Sequence, residues 1–193
     1  MDQPRRLVLA SGSRYRKALL ERLRLPFEVV SPEIDETPLN AESPADTALR
    51  LSVLKAKALA HRGELIIGSD QVASCDGRRY GKPGNHENAA RQLRELSGKA
   101  VDFHTAVTLL DTRKDRHESR LVPCRVLFRA LDERRIQAYL EREKPYDCSA
   151  SAKAEGLGIA LIERIETDDP SSLIGLPLIA LSEMLERAGL RVV

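Results

Sequence analysis

Residues 7–17 read LVLASGSRYRK: a short apolar run, a loop of two serines and a glycine, and the start of a basic segment. The apolar run 7–10 is typical of a buried strand. Ser13 is a favourable N-cap residue, and the leucines that follow give the next helix one apolar face. The stretch therefore predicts a strand, loop and helix unit around which the rest of the chain is organised.

The loop of this unit has the properties of an anion cradle. A helix N-terminus offers unpaired N–H groups and partial positive charge, and Gly12 allows a ligand to approach the backbone closely. Arg14, Arg16 and Lys17 add full charges, so an oligophosphate is the natural ligand. The alternative is an ordinary first helix whose basic residues are solvated, and this stretch alone leaves both open.

Composition limits what the chain can be. With 193 residues and 42% hydrophobic content, it can bury the core of one domain or of two closely joined lobes. The 31 basic and 29 acidic residues give a net charge of +2, so we expect neither a nucleic acid nor a membrane surface as partner. The three cysteines lack CxxC spacing, which argues against a disulfide framework and a zinc site and fits a reducing cytoplasm.

Leader and membrane segments are not expected. Residues 1–6 are polar and basic, and the apolar run after them is too short for a signal sequence. No apolar run approaches the roughly 20 residues of a membrane span.

An acidic loop follows a second short strand at 27–31. Prolines at 32 and 38 enclose Glu33, Asp35 and Glu36 and disfavour a helix there. Such carboxylates could simply be solvated. Near a phosphate cradle, however, they could hold Mg²⁺, which prefers hard oxygen ligands.

Lys55 is an unexpected residue on the next helix. Ser43 and Pro44 predict an N-terminus for a helix extending to about His61, and Lys55 falls within its apolar stripe. Its ammonium group could extend past its neighbours to solvent, or it could reach an anion beneath the helix.

Asp70 is the best candidate for a general base. It lies near the end of the apolar strand 64–72, where partial burial raises a carboxyl pKa and nearby cations lower it. It could equally be a turn-capping aspartate. The dipeptide Asp76-Gly77 predicts a two-residue hairpin turn, which would place Lys82 opposite Gln71 and beside Asp70. A bulge or a register shift of one residue would change which face each residue occupies.

The remaining patterns predict elements of ordinary length. We expect a helix from Asn85 to about Leu96, strands at 101–111 and 120–130 joined by a charged loop at 112–119, and a helix at 131–144. A final strand at 159–165 and helix at 177–188 follow, after the small-residue segment 148–158 that could line a ligand site.

Six motifs in order give the chain a family resemblance. They are Ala10-Ser11-Gly12-Ser13 with Arg16-Lys17, then Asp35-Glu36, Lys55-Ala56, Ile67-Gly68-Ser69-Asp70, Gly81-Lys82-Pro83 and Gly175-Leu176-Pro177. Together they resemble the Maf family of nucleoside triphosphate pyrophosphatases over residues 1–193. The resemblance implies an α/β, Maf/ITPase-like fold: a long twisted mixed sheet flanked by helices, with two lobes and a central nucleotide cleft. It also implies a homodimer and a divalent metal, Mg²⁺ or Mn²⁺.

By position, the resemblance implies a role for each motif residue. Asp70 corresponds to the proton acceptor, with Lys82, Glu36 and Lys55 in the catalytic set and Asp70 and Glu36 at the metal. Ser11, Ser13, Arg16 and Lys17 correspond to the phosphate-binding set. Two positions depart from the family pattern, which usually has proline where this chain has Arg14 and arginine where it has Lys17.

Three further positions distinguish branches of the family, and here they are Tyr15, Gln71 and Glu155. They resemble the branch that hydrolyses 7-methyl-GTP, although that branch usually has tryptophan in place of Tyr15. A ring carrying a positive charge favours stacking on an aromatic face and contact with a carboxylate. The dTTP/UTP branch, with arginine, threonine and glutamine there, is the alternative within the family.

A non-catalytic nucleotide-binding or nucleic-acid-binding module is the alternative from another class. Its support is weaker, because aromatic residues form only 4% of the chain and no basic stripe is interleaved with them.

Overall fold

The computed structural model describes residues 5–193 and shows a mixed α/β fold. The expectation about a leader at residues 1–6 lies mostly outside the described residues. The strands are β1 (Leu7–Ala10), β2 (Phe27–Val30), β3 (Leu65–Cys75), β4 (Arg78–Arg79), β5 (Ala100–Asp111), β6 (Arg116–Phe128) and β7 (Ile162–Glu166). The helices are α1 (Arg14–Glu21), α2 (Pro44–Ala58), α3 (His86–Leu96), α4 (Glu133–Glu143) and α5 (Leu178–Arg187).

The strands form a seven-stranded sheet in the order β2-β1-β3-β5-β6-β7, with β4 paired to β3. β1 is parallel to both β2 and β3, whereas β4 pairs antiparallel with β3 and β7 antiparallel with β6. The predicted mixed sheet is therefore confirmed. Among residues 5–193, no helix has the length and hydropathy needed to cross a membrane.

The chain divides into two compact units. The first comprises residues up to 71 together with 105–122 and 169–193, and the second comprises 72–104 and 123–168. The three long strands β3, β5 and β6 each contribute residues to both units.

In the first unit, β1 is buried on both faces because its side chains alternate between two apolar clusters. Leu7 and Leu9 join a cluster with residues of α1 and α5. Val8 and Ala10 join a second cluster with Ala56 of α2 and Leu59, the C-cap residue of that helix. The helices α1 and α2 therefore cover opposite faces of the parallel strands.

α2 approaches β3 closely at Gly68. A Cβ atom at Gly68 would lie 2.0 Å from the carbonyl oxygen of Ser52 and 2.8 Å from the backbone nitrogen of Ala56. Only glycine leaves room for this contact, which brings Lys55 of α2 to the part of β3 that contains Asp70.

The second unit is built on α3 and α4, which pack together. Its buried side chains include Leu93 and Leu96 of α3 and Ile136 and Leu140 of α4. The hairpin between β3 and β4 has the predicted two-residue turn, because Cys75 pairs with Arg78. Asp76 and Gly77 both have positive φ, 50° and 77°, as a type I′ turn requires.

Several predicted boundaries were wrong. α2 ends at Ala58 rather than near residue 61, and α4 begins at Glu133 because Asp132 is its N-cap. β6 begins at Arg116 and ends at Phe128, so the charged loop shrinks to residues 112–115. The polar side chains along the first part of β6 are exposed or half-buried, which explains why the sequence resembled a loop there.

The last predicted strand was also too long. Residues Leu157–Leu161 form a 3₁₀ turn, and β7 begins only at Ile162. β4 ends at Arg79, so strand pairing does not extend to Lys82 and does not establish the expected position opposite Gln71.

Candidate active site

Two parallel strands of the first unit, β1 and β2, end beside Gly68 of β3, which itself continues to Cys75. Ala10 is in register with Val30 of β2 and with Gly68 of β3. The chain leaves β1 through α1 to β2 on one side, then returns through α2 to β3 on the other. The carboxyl end of β1 is thus a topological switch point, where α/β sheets form ligand crevices.

The serine loop at this edge is ordered by its own hydroxyl groups. The Oγ atom of Ser13 accepts a hydrogen bond from the backbone N–H of Arg16 at 3.4 Å, which makes Ser13 the N-cap of α1 as predicted. The Oγ atom of the buried Ser11 accepts one from the N–H of Ser13 at 3.1 Å. A Cβ atom at Gly12 would lie 3.1 Å from Ser31 Oγ.

Arg16 is held by the backbone of a distant segment. Its Nε atom donates to the carbonyl oxygen of Gly175 at 2.7 Å, and Gly175 has a φ of 117°. Burial lowers the pKa of Arg16, and the negative charges of Asp70 and Glu36 oppose that effect. Because a guanidinium group starts from so high a pKa, Arg16 remains a fixed cation near two carboxylates.

Lys55 occupies the centre of the charged group. Its side chain is buried, and its Nζ atom lies 2.6 Å from Asp70 Oδ1 and 2.9 Å from Glu36 Oε1. Of the two alternatives that the sequence left open, the structure shows contact with anions beneath the helix. Those anions are carboxylates of the chain itself.

Asp70 is as deeply buried as its partner: 7% of the residue is exposed, against 6% of Lys55. Glu36 is different, since 58% of its side chain is exposed. The site therefore combines one buried carboxylate, one accessible carboxylate and two cations, an arrangement that can bind and polarise a phosphate chain.

The carboxylates of the site could hold a divalent metal ion only together with oxygen atoms of a bound substrate. Among residues 5–193, no three His, Cys, Asp or Glu side chains are grouped as a metal site. Asp70 and Glu36 nevertheless approach the same point, since both contact Lys55 Nζ. Mg²⁺ is commonly held by one or two carboxylates together with substrate phosphates, so these two side chains fit that role.

Two predicted residues of α1, Lys17 and Tyr15, contact side chains of their own helix. Lys17 forms a long ion pair with Glu21, at 3.8 Å, and both side chains are 55% exposed. The Tyr15 ring has the guanidinium carbon of Arg14 4.8 Å from its centroid, and Arg14 also donates to the Tyr15 hydroxyl at 2.7 Å. The aromatic face of Tyr15 is therefore in contact with a cation, the guanidinium group of Arg14.

Gln71 and Asp70 contact different sides of the sheet, as alternation along β3 requires. The Nε2 atom of Gln71 lies 2.9 Å from Thr105 Oγ1 and 2.9 and 3.0 Å from the carbonyl oxygens of Ser172 and Leu173. These acceptors fix the orientation of its amide, with the nitrogen toward the 3₁₀ turn Pro170–Ile174.

Two predicted site residues belong to the second unit, where both are exposed. Lys82 lies in the segment between β4 and α3, and Glu155 lies in the segment before the 3₁₀ turn Leu157–Leu161.

Sequence reasoning missed the contacts that hold this site together. The role of Gly68 as the point of closest helix approach, and of the Gly175 carbonyl as the partner of Arg16, emerged only from the structure. Glu42 was also missed. Hydrogen bonds from Arg50 lower the pKa of Glu42 to about 2, and Arg50 also donates to the carbonyl of Thr37, which ties the acidic loop to α2.

Comparison with known proteins gives a consistent result. The model of the family described as "Maf-like protein" matches residues 6–188. A protein of Thiobacillus denitrificans named 7-methyl-GTP pyrophosphatase is 57% identical over 188 residues, covering 96% of this chain and 94% of its own. One of the same name from Nitrosospira multiformis is 55% identical, covering 97% of this chain and 96% of its own.

Among solved structures, a HAM1 protein from Coxiella burnetii is similar with a TM-score of 0.45 and 19% identity, covering 64% of this chain and 72% of its own. The family match spans nearly the whole chain and agrees with the six sequence motifs that resemble this family. The chain therefore belongs to the Maf family.

Proposed function

We propose that this protein hydrolyses a nucleoside triphosphate to the monophosphate and pyrophosphate, with 7-methyl-GTP as its preferred substrate. The observation that carries the proposal is the buried Lys55, which contacts Asp70 and Glu36 beside the carboxyl ends of β1 and β2. The substrate class is supported by relatives at 55 to 57% identity that are named 7-methyl-GTP pyrophosphatases.

In the proposed reaction, a water oxygen attacks the α-phosphorus of the triphosphate. The bond from this phosphorus to the bridging oxygen breaks, its electron pair leaves with the pyrophosphate, and Asp70 accepts the proton of the water. Arg16, Lys55 and the N-terminus of α1 stabilise the charge that grows on the phosphate oxygens.

The remaining site residues have supporting roles in this proposal. Ser11 and Ser13 hold the cradle loop, Lys17 adds positive charge at its rim, and Lys82 supplies a further cation. Asp70 and Glu36 would hold a divalent cation, Mg²⁺ or Mn²⁺, which when bound neutralises part of the phosphate charge.

Base recognition is proposed to depend on Tyr15, Gln71 and Glu155. Methylation of guanine at N7 leaves a positive ring, which favours an aromatic face and a nearby carboxylate. The carboxylate of Glu155 can also accept hydrogen bonds from the N1–H and exocyclic amine of guanine. The alternative functions are a dTTP/UTP-preferring pyrophosphatase and a non-catalytic nucleotide-binding protein.

The role of Asp70 is tested by Asp70→Asn. Because the amide cannot accept the proton of the water, we expect kcat to fall at least about 100-fold while nucleotide binding is largely kept. Asp111→Asn is the matched control, since Asp111 is also a buried aspartate paired with a cation, Arg5, and has no place in the proposed reaction. A near-normal kcat for Asp70→Asn would refute the assignment of the base.

The substrate is tested by assaying pyrophosphate release from 7-methyl-GTP, GTP, dTTP and UTP with Mg²⁺. We expect the highest kcat/KM for 7-methyl-GTP, and we expect Glu155→Gln to reduce that preference whereas Glu163→Gln, at an exposed position of β7, does not. If dTTP or UTP is hydrolysed best, the branch is wrong but the pyrophosphatase reaction stands. Binding without pyrophosphate release from any of the four would favour the non-catalytic alternative.

We further propose that the protein is a cytoplasmic homodimer. The three cysteines are free, which fits a reducing compartment. The dimer rests on the family resemblance alone. Light scattering at micromolar concentration should give twice the chain mass of 21.5 kDa, and a mass of one chain would refute the dimer.

A further inference from the structure

The segment that carries Glu155 is fastened to the end of α4. Lys153 and Glu155 are the only charged residues between positions 152 and 158. The two side chains have different surroundings. Glu155 is exposed, whereas Lys153 forms an ion pair with a residue of α4.

Glu143, the last residue of α4, is the partner. Only 11% of its side chain is exposed, and its Oε1 atom lies 2.5 Å from Lys153 Nζ. Its Oε2 atom accepts a hydrogen bond from the backbone N–H of Leu157 at 2.6 Å. Burial raises the pKa of Glu143, but the hydrogen bonds from Lys153 and Leu157 outweigh burial and hold that pKa below its usual value, so the carboxylate stays charged.

The fit around this carboxylate is close. A Cβ atom at Gly156 would lie 2.5 Å from Glu143 Oε2. One turn earlier on the same face of α4, the Tyr139 hydroxyl donates to the carbonyl oxygen of Ser151 at 3.0 Å and accepts from the N–H of Lys153 at 3.1 Å. Two side chains of one helix thus hold the segment on both sides of Glu155.

The ion pair between Lys153 and Glu143 also bears on the electrostatic surroundings of Glu155. Lys153 and Glu155 are two residues apart, so the ammonium is within electrostatic range of the Glu155 carboxylate. The hydrogen bond to Glu143 raises the pKa of Lys153, and the charge of Glu155 adds to that increase. In the structure, the ion-pair partner of this ammonium is Glu143 rather than Glu155. Without the Glu143 carboxylate, Lys153 could turn to Glu155 and neutralise it.

We propose that Glu143 is a positioning residue for base selection: by engaging Lys153, it keeps the Glu155 carboxylate available to a positively charged purine ring. This inference rests on the proposed function. It predicts that Glu143 affects the selectivity for the charge of the base and not the binding of the triphosphate. The two effects can be separated by comparing 7-methyl-GTP with GTP, which differ only in the N7 methyl group and its positive charge.

The test compares two variants that break the same ion pair. Glu143→Gln frees the ammonium, and we expect the ratio of kcat/KM for 7-methyl-GTP to kcat/KM for GTP to fall about tenfold, with kcat on GTP within about twofold of the wild type. Lys153→Met removes the ammonium, so the ratio should stay near the wild-type value, and adding Lys153→Met to Glu143→Gln should restore it. The control is Glu133→Gln, which removes the ion pair between Glu133 and Arg94 at the other end of α4.

Equal losses of selectivity in Glu143→Gln and Lys153→Met would show a merely structural role and overturn the inference, as would an unchanged ratio in Glu143→Gln. Thermal unfolding of each variant establishes that it is folded. If the wild type releases no pyrophosphate from any triphosphate, the proposed function fails, and the same contrast measured as dissociation constants for the two nucleotides then tests the inference by itself.

Discussion

The contact between the Lys55 ammonium and the carboxylates of Asp70 and Glu36 is the interaction on which the first unit's site depends. Removing an ammonium and a carboxylate from water costs several kcal/mol for each ion, and their mutual attraction offsets this only at close range. The close range exists because α2 packs directly on β3 at Gly68. A glycine in the strand therefore permits a buried charge pair beside the ends of β1 and β2.

The elements with strong local signals could be predicted from the sequence. β1, the cap of α1 and the turn at Asp76 and Gly77 each follow from a short pattern that needs no distant partner. The boundaries of β6 and β7 could not be predicted in this way. β6 starts with exposed polar residues, and the N–H of Leu157, at the start of the turn before β7, is bound by Glu143, fourteen residues away in sequence.

The candidate site was only partly accessible to the same reasoning. Lys55 stood out because a charged residue interrupted an apolar stripe, but the sequence could not say which anion it meets. The sequence could not predict contacts with distant backbone groups. The Gly175 carbonyl binds Arg16, and the Ser172 carbonyl orients Gln71. Both carbonyls lie about a hundred or more residues further along the chain than the side chains they bind. Helix and strand periodicity predict which side of an element is buried, whereas partners across such distances are decided by packing.

The most direct measurement is a double-mutant cycle on Lys55 and Asp70, read as the free energy of unfolding in urea. Lys55→Met leaves Asp70 buried without its ammonium partner and should cost about 3–5 kcal/mol. Asp70→Asn should cost less, because Lys55 keeps Glu36. The double variant should be more stable than the sum of the single losses predicts, with a coupling free energy of about 1–3 kcal/mol. Losses that add to within about 0.5 kcal/mol would contradict the account, since the two groups would then not depend on each other.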